Sequence, residues 1–252
     1  MWVIKDALAV GKRNVIGLTR QPTTVVFSTI QPIIFVVLFR YVFGGAIELI
    51  LPPGVTYVNF LMAGIFVQTV TFGATNTGIG LAEDIKKGLI ERFRSLPMAR
   101  SAVLAGRTLA DTLRNLFVIC LMFVVGYLVG FRVTTNLMST LLAILLILFF
   151  GYAMSWVMAL VGMAAGNAEA AQAAGFPMLA ILVFASNAFV PIYTLPGWLQ
   201  TFVRIQPVSV TVTAVRHLLI GTEGSVWPAF AWAAGLLVIF MPLAVRRYRR
   251  AV

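Results

Sequence analysis

Three charged residues lie at helical spacing near the middle of the sequence. Arg107, Asp111 and Arg114 are separated by four and three positions, which places them on one face of a helix. A carboxylate between two guanidinium groups inside a bilayer would suit an ion or proton pathway. The same residues suit a structural ion network, because long basic side chains near the membrane interface reach toward the headgroups. We interpret the group as an ion network.

Amide and hydroxyl side chains interrupt two of the apolar segments, around residues 58–82 and around residues 170–190. Small and amide-bearing residues suit close helix packing and hydrogen bonds between helices. The alternative is that they line a partly wet route for an amphiphilic substrate. The candidates for such a route, or for a contact between two chains, are Gln68, Phe72, Asn76, Asn187 and Phe189.

The one dense charged stretch is the segment 83–97. Its apolar residues Leu89, Phe93 and Leu96 share a helical face, Lys87 and Glu91 form an i,i+4 pair, and a proline follows at position 97. Such a helix could offer Phe93 and Leu96 to a groove on another protein. It could also be a solvated loop helix, and the composition does not decide between the two.

Other kinds of site have little support in the residues. Cys120 is the single cysteine, and His217 has no second ligand at metal-binding spacing, so we predict no metal site. The sequence contains no phosphate-binding loop, no His-Glu-x-x-His, no Gly-x-Ser-x-Gly and no paired acids within the apolar segments. We therefore predict no enzymatic activity and no cofactor bound by this chain.

The composition is that of a membrane protein. The chain has 252 residues, of which 60% are hydrophobic and 11% charged, with a mean hydropathy of +0.97. A soluble domain carries about 25% charged residues. The net charge of +11 could suggest nucleic acid, but the basic clusters lie at the ends of apolar segments, so we expect no nucleic-acid partner.

We predict an all-α fold of six transmembrane helices in a single domain over residues 1–252. The predicted spans are Thr23–Phe43, Val58–Ala82, Arg107–Gly130, Leu137–Ala165, Ala170–Val190 and Val226–Val245. Fifteen of the 19 basic residues fall on one side if the N-terminus is cytoplasmic, so both termini are expected there. Boundaries around 162–175 are hidden by a run of small residues.

Two further segments are too short or too polar to span. In residues 1–22 the apolar side chains fall on one helical face and the basic side chains on the opposite face. This pattern predicts an amphipathic helix in the membrane plane, either a plain anchor or a collar packed on the bundle. Residues 191–221 are broken by Pro196 and Pro207 and carry Trp198 at a predicted interface. We predict two short helices there that dip into the outer leaflet.

Taken in order, these segments resemble the permease subunits of type-2 ABC exporters, especially the daunorubicin-resistance-like branch. The resemblance is carried by Gly88–Pro97, by Phe189-Val190-Pro191 with Leu195–Gln200, and by Gln206–Ser209 leading to Ala214–Leu219. Relatives are expected to have Asn-Pro where this chain has Gln206-Pro207. The resemblance covers nearly the whole chain.

The resemblance implies a plasma-membrane exporter in which two permease chains, identical or paralogous, rest on two cytoplasmic ATPase subunits that bind ATP and Mg²⁺. It implies that segment 83–97 is the coupling helix, with Leu89, Glu91, Arg92, Phe93, Arg94 and Leu96 toward the ATPase. It also implies that segment 191–221 gates the exit, with Pro191, Pro196, Trp198, Pro207 and Arg216 as candidates. Drug, lipid and glycolipid substrates all stay open, with drug-like amphiphiles favoured by the branch.

Two other classes remain as alternatives. An ion-gradient-driven secondary transporter or channel would work without an ATPase, but such proteins usually bury a carboxylate at mid-membrane. The only candidate of that kind is Glu169, in a predicted cytoplasmic turn. An intramembrane enzyme lacks a recognisable catalytic motif here.

Overall fold

A computed structural model describes residues 22–87 and 100–250, with side chains described for 29–87 and 106–248. The regular structure in these ranges is helical, which confirms the predicted class. The helices are α1 Pro22–Leu38, α2 Gly44–Glu48, α3 Tyr57–Gly73, α4 Thr75–Lys86, α5 Arg100–Val129, α6 Leu137–Ala165, α7 Ala168–Phe184, α8 Gly197–Ile205, α9 Pro207–Ile220 and α10 Trp227–Arg250. A π-helical turn, Phe39–Phe43, joins α1 to α2, and a 3₁₀ turn, Ile192–Thr194, precedes α8.

Within the described ranges, five helical segments are long and apolar enough to cross a membrane. They are Thr29–Glu48, Tyr57–Lys86, Gly106–Val129, Leu137–Ala165 and Trp227–Tyr248. Each overlaps one of the predicted spans, so a helical membrane protein is confirmed.

The remaining predicted span, Ala170–Val190, is shorter as a helix than expected. Helix α7 ends at Phe184, and its 17 residues rise about 25 Å. After that point the Ser186 side chain competes with helical carbonyl oxygens for a backbone N–H, since its hydroxyl accepts a hydrogen bond from the Ala188 N–H at 3.1 Å. The backbone of residues 185–190 therefore turns instead of continuing the helix.

Helix α6 lies at the centre of the bundle and contacts α3, α4, α5, α7, α9 and α10. Asn136 caps its start, because the Asn136 side chain accepts a hydrogen bond from the Ser139 N–H at 2.8 Å. Gly166, with φ of 76°, ends it in the left-handed conformation. Two glycines bring α4 and α6 into backbone contact, since a Cβ on Gly162 would overlap the backbone of Gly78.

The second predicted span is a broken helix. Helix α3 ends at Gly73, Ala74 forms a turn, and α4 continues from Thr75 in the same general path through the bundle. Most of this span is buried inside the chain. The break exposes backbone groups in the interior, and polar side chains from α4 and α5 bind them.

The segment after α7 forms the two short helices that the sequence predicts. Helix α8 has a single buried residue, Val203, whereas most of α9 is buried against the rest of the bundle. Gln206 precedes α9 and accepts a hydrogen bond from the Val208 N–H at 3.0 Å, with Pro207 in the first turn. The predicted N-terminal amphipathic helix, apart from Pro22, and residues 88–97 of segment 83–97 lie outside the described residues.

Candidate functional site

A cavity of about 480 Å³, lined by both polar and apolar side chains, lies between α1, α3, α4, α5 and α7. Gln68, on its wall, is 11 residues after Tyr57, and therefore about 17 Å along the helix from the start of α3. A helix that begins at the edge of a hydrocarbon core about 30 Å thick would carry a residue at this distance to the middle of the core. The polar side chains on the wall are those of Gln31, Gln68, Thr69, Thr75, Asn76, Arg114, Asn115 and Gln172.

One wall of the cavity is aromatic. The rings of Phe72 on α3 and Phe176 on α7 stack with their centroids 5.5 Å apart. Pro32 on α1 lies on another wall, inside a helix where it removes one backbone hydrogen bond. The cavity thus combines a flat apolar surface with many hydrogen-bonding groups.

The helix break at Ala74 forms part of the same wall. The Gly73 carbonyl oxygen accepts a hydrogen bond from Arg114 Nη2 at 2.8 Å and another from Asn76 Nδ2 at 3.1 Å. Asn115 packs against Gly73 so closely that a Cβ there would meet the Asn115 amide oxygen. These contacts satisfy the carbonyl that the break releases, so α5 holds the break in place.

The predicted ion network is present, but its pairing differs from a three-residue cluster. The Asp111 carboxylate accepts a hydrogen bond from the Thr77 hydroxyl, and its Oδ1 lies 3.6 Å from Arg114 Nη1. Both charged side chains are buried. Arg107 instead forms an ion pair with Asp84 of α4.

The described beginning of segment 83–97, residues 83–87, carries a further ion pair, between Glu83 and Lys87. Lys87 donates a hydrogen bond to Glu83 at 2.9 Å. This hydrogen bond and the Glu83 charge raise the pKa of the exposed Lys87 ammonium above its ordinary value. The Asp84–Arg107 pair joins the end of α4, where the segment begins, to α5.

A second polar centre surrounds Arg216 on α9, at the other end of α3. The buried guanidinium donates hydrogen bonds to the Phe60 carbonyl oxygen from Nε at 3.2 Å and from Nη2 at 3.1 Å. Arg216 Nη2 also donates to the Asn187 carbonyl oxygen at 3.0 Å. Carbonyl oxygens and the face of the Phe60 ring, 3.5 Å away, therefore surround the cation.

Phenylalanine rings form a cluster between the cavity and this second centre. We call Phe35, Phe39, Phe184 and Phe189 the aromatic cluster. Phe189 stacks on Phe39 with centroids 4.5 Å apart and contacts Phe184 at 5.6 Å and Phe35 at 6.0 Å. Tyr57 anchors it, since its hydroxyl donates a hydrogen bond to the Phe189 carbonyl oxygen at 3.1 Å.

The structure separates the predicted route residues into two groups. Gln68, Phe72 and Asn76 line the cavity, whereas Asn187 and Phe189 lie at the aromatic cluster and the Arg216 centre. The predicted gate residues are also dispersed. Pro191, Pro207 and Arg216 are at least partly buried, while Pro196 and Trp198 are exposed on or beside α8, with 77% of Trp198 accessible. The predicted coupling residues, from Leu89 to Leu96, lie outside the described residues.

Several residues of these sites are absent from the sequence-based candidates. Thr75 and Ile79 could have been found, since they continue the face of Gln68 and Phe72 at helical spacing. The run of Phe35, Phe39 and Phe43 at spacings of four was a similar signal for the aromatic cluster. No local pattern indicates that Arg114 and Gln31 reach the same cavity.

These observations define a helical membrane protein with a cavity inside the bundle that is lined by polar and apolar side chains. The chain belongs to the ABC-2 type transporter family, which its residues 6–220 match. It is a multi-pass protein of the plasma membrane and a transmembrane permease of an ABC exporter.

The chain is similar over most of its length to permeases from two bacteria. It is 35% identical over 230 residues to the daunorubicin resistance ABC transporter permease protein DrrB1 of Streptomyces coeruleorubidus, covering 90% of this chain and 80% of that protein. It is 30% identical over 243 residues to the probable doxorubicin resistance ABC transporter permease protein DrrC of Mycobacterium tuberculosis H37Rv, covering 92% and 84%. The doxorubicin resistance permease DrrB of the same strain is 29% identical over 228 residues, covering 82% and 76%.

Proposed function

We propose that this chain forms the membrane pathway of an exporter that moves amphiphilic, drug-like compounds outward, driven by ATP hydrolysis in separate subunits. The observation that carries the proposal is the cavity, about 480 Å³ in volume, which lies inside the bundle and is lined by both hydrogen-bonding and aromatic side chains. Its volume is within the range of small-molecule sites, about 300–1,000 Å³. The names of the relatives, which refer to daunorubicin and doxorubicin resistance, support the substrate class.

The proposed topology has six spans, with both termini in the cytoplasm and α8 and α9 re-entrant from the outside. Helix α7 would serve as the fifth span. The positive-inside distribution supports this orientation. The contacts of Arg216 with Phe60 support the re-entrant placement, because they hold α9 beside the first turn of α3.

In this topology the cavity is reached from the cytoplasmic half and the aromatic cluster closes the outer half. Phe35 lies one turn beyond Gln31 along α1, and Phe39 lies about one turn further, at the start of the π-helical turn. Phe184 lies two turns beyond Phe176 along α7. Outward transport then requires these rings to separate. The π-helical turn at Phe39–Phe43 supports that role, since such turns are frequent at functional sites.

We propose that a second permease chain, identical or paralogous, completes the pathway. One chain of six spans leaves the cavity open beside exposed apolar residues of α1 and α7, including Ile34, Val37 and Ile181. The glycines of α3 and α4 pack within the chain, against Ala188, Met158 and Gly162. The faces of α1 and α7 are therefore better candidates for the contact than the second span.

We propose that two cytoplasmic ATPase subunits bind ATP and Mg²⁺ and that this chain hydrolyses no ATP by itself. The support is the lack of a phosphate-binding loop in the sequence. Segment 83–97 would contact the ATPase through Leu89, Glu91, Arg92, Phe93, Arg94 and Leu96. The Asp84–Arg107 pair supports this, because it couples that segment to the helices around the cavity.

The test is transport in inside-out vesicles that contain the chain and its ATPase partner. We expect uptake of doxorubicin on addition of ATP and Mg²⁺. The uptake is measured as quenching of doxorubicin fluorescence. Vesicles with a hydrolysis-deficient ATPase variant are the control and should show none. Uptake driven by an imposed proton gradient without ATP would contradict the proposal and favour a secondary transporter.

A further inference from the structure

Two polar atoms beside the cavity have no hydrogen-bond partner among the residues that the structure describes. They are Gln68 Oε1 and Thr75 Oγ1, and both are covered by neighbouring protein atoms. Gln68 and Thr75 are seven residues apart, two turns along one face of the broken helix, and both residues line the cavity. A buried polar atom without a hydrogen-bond partner raises the free energy of the protein. A ligand that supplies the missing hydrogen bond at Gln68 or Thr75 would therefore bind more tightly.

Small side-chain movements would bring these atoms to the cavity. The terminal torsion of a glutamine is broad, so the Gln68 amide can rotate at little cost. Thr69 and Thr71, on α3, differ from Thr75, because their hydroxyls already donate to the carbonyl oxygens of Ile65 and Val67, each at 2.7 Å. Thr75 is thus a threonine at the cavity whose hydroxyl is left for a ligand.

The charges at the cavity disfavour a cationic ligand. Among the described residues that line it, Arg114 is charged and none is a carboxylate. The counter-ion, Asp111, already accepts a hydrogen bond from Thr77 and lies 3.6 Å from Arg114. An ammonium group entering the cavity would lose its hydration and meet a like charge.

The remaining groups suit uncharged hydroxyls. Asn76, Gln31 and Gln172 carry amides, which both donate and accept hydrogen bonds, as a hydroxyl group does. The stacked rings of Phe72 and Phe176 provide a flat wall for the apolar part of the ligand. An uncharged hydroxyl also costs far less to desolvate than an ammonium group.

We propose that the cavity recognises amphiphiles through uncharged hydroxyl groups, that Gln68 and Thr75 are specificity-determining residues, and that a hydroxyl is preferred to an amine at the same position. This inference rests on the proposed function for the role of the cavity in export. Binding itself requires neither ATP nor a partner subunit, so it can be measured separately. The hydroxyl could belong to a drug-like compound or to a glycolipid headgroup.

The experiment measures equilibrium binding of fluorescent probes to the full chain in lipid nanodiscs. Binding is detected by fluorescence anisotropy, and empty nanodiscs give the background. The probes are doxorubicin and its analogue in which a hydroxyl replaces the sugar amine. We expect saturable binding, with the hydroxyl analogue at least about fivefold tighter, corresponding to one added hydrogen bond. Equal affinities, tighter binding of the amine, or no saturable binding of either probe would overturn the proposal.

Two near-isosteric variants test the residues. Thr75→Val and Gln68→Met should each weaken binding of the hydroxyl analogue about three- to tenfold. Because the lost atoms are unpartnered in the empty protein, neither variant should lower its melting temperature. The matched control is Thr71→Val on α3, outside the cavity lining, which should leave the affinity unchanged. Unchanged affinity in both cavity variants, or an equal loss in the control, would refute the assignment.

A competition arm identifies the source of the hydroxyl. Nanodiscs containing glucosyl diacylglycerol are compared with nanodiscs in which phosphatidylethanolamine takes its place. Displacement of the probe by the glycolipid alone would assign the site to a lipid headgroup, and displacement by neither would assign it to the drug-like compound. Displacement by phosphatidylethanolamine alone would overturn the preference for an uncharged hydroxyl. Failure of ATP-driven uptake with these binding results intact would count against the export proposal only.

Discussion

The guanidinium carbon of Arg216 lies 3.5 Å from the centroid of the Phe60 ring, and the same guanidinium donates two hydrogen bonds to the Phe60 carbonyl oxygen. Phe60 is in the first turn of α3, while Arg216 is near the end of α9. The relationship joins the start of the broken span to the short helix after α8. These contacts hold α9 beside α3. None of the contacts that the structure describes for Arg216 is with a carboxylate.

Replacing Arg216 by lysine should destabilise the protein although the charge is retained. A lysine cannot reach both the Phe60 and Asn187 carbonyl oxygens with planar geometry, so we expect a loss of about 2 kcal/mol. The measurement is reversible unfolding in detergent, detected by circular dichroism. Arg204→Lys on the exposed face of α8 is the matched control. Equal stability of the two variants would show that the bidentate contact contributes little.

The buried pair of Asp111 and Arg114 should behave differently from the exposed pair of Glu83 and Lys87. Asp111→Asn leaves a buried guanidinium without its counter-ion, and breaking such a pair typically costs about 3–5 kcal/mol. Glu83→Gln should leave stability unchanged within error, because that pair is solvated. Unfolding curves of the two variants, measured in one detergent, test the contrast. Comparable losses in both would mean that burial does not decide the effect.

The backbone contact between α4 and α6 should not tolerate a methyl group. In Gly162→Ala the new Cβ would overlap the Gly78 backbone, and overpacking of this kind costs about 1–3 kcal/mol. Gly235→Ala in α10 is the control, since a Cβ there meets no atom within 4 Å. That control should keep or raise stability, by up to about 1 kcal/mol, through helix propensity. A neutral Gly162→Ala would argue that the two helices can separate freely.

Substitutions in segment 83–97 should uncouple transport from ATP hydrolysis. Phe93→Ala removes a predicted anchor for the ATPase groove, worth on the order of 2 kcal/mol of binding if it is a hot spot. Glu91→Lys should weaken the contact in a salt-dependent way. Export is measured after normalising to membrane expression, together with ATPase co-purification. Wild-type export and partner retention in both variants would show that this helix only sets topology.

Much of the fold follows from the amino-acid sequence alone, because a bilayer leaves few choices for an apolar chain. Continuous apolar runs of this length require helices, and glycine, proline and asparagine residues mark their ends. Asn136 and Pro207 were readable as helix starts. The cavity residues Gln68, Phe72 and Asn76 were likewise predicted as candidates, because polar side chains are unusual within an apolar span.

Tertiary structure decided where the polar groups meet. Arg216 and Phe60 are 156 positions apart, and no local spacing predicts their contact. Arg114 has the spacing of an ion network with Asp111, yet packing also turns it to the Gly73 carbonyl at the break of the second span. The end of α7 at Phe184 depended on competing hydrogen bonds after it. Local periodicity determines which face of each helix is polar, whereas the choice of neighbour depends on how all the helices fill the interior together.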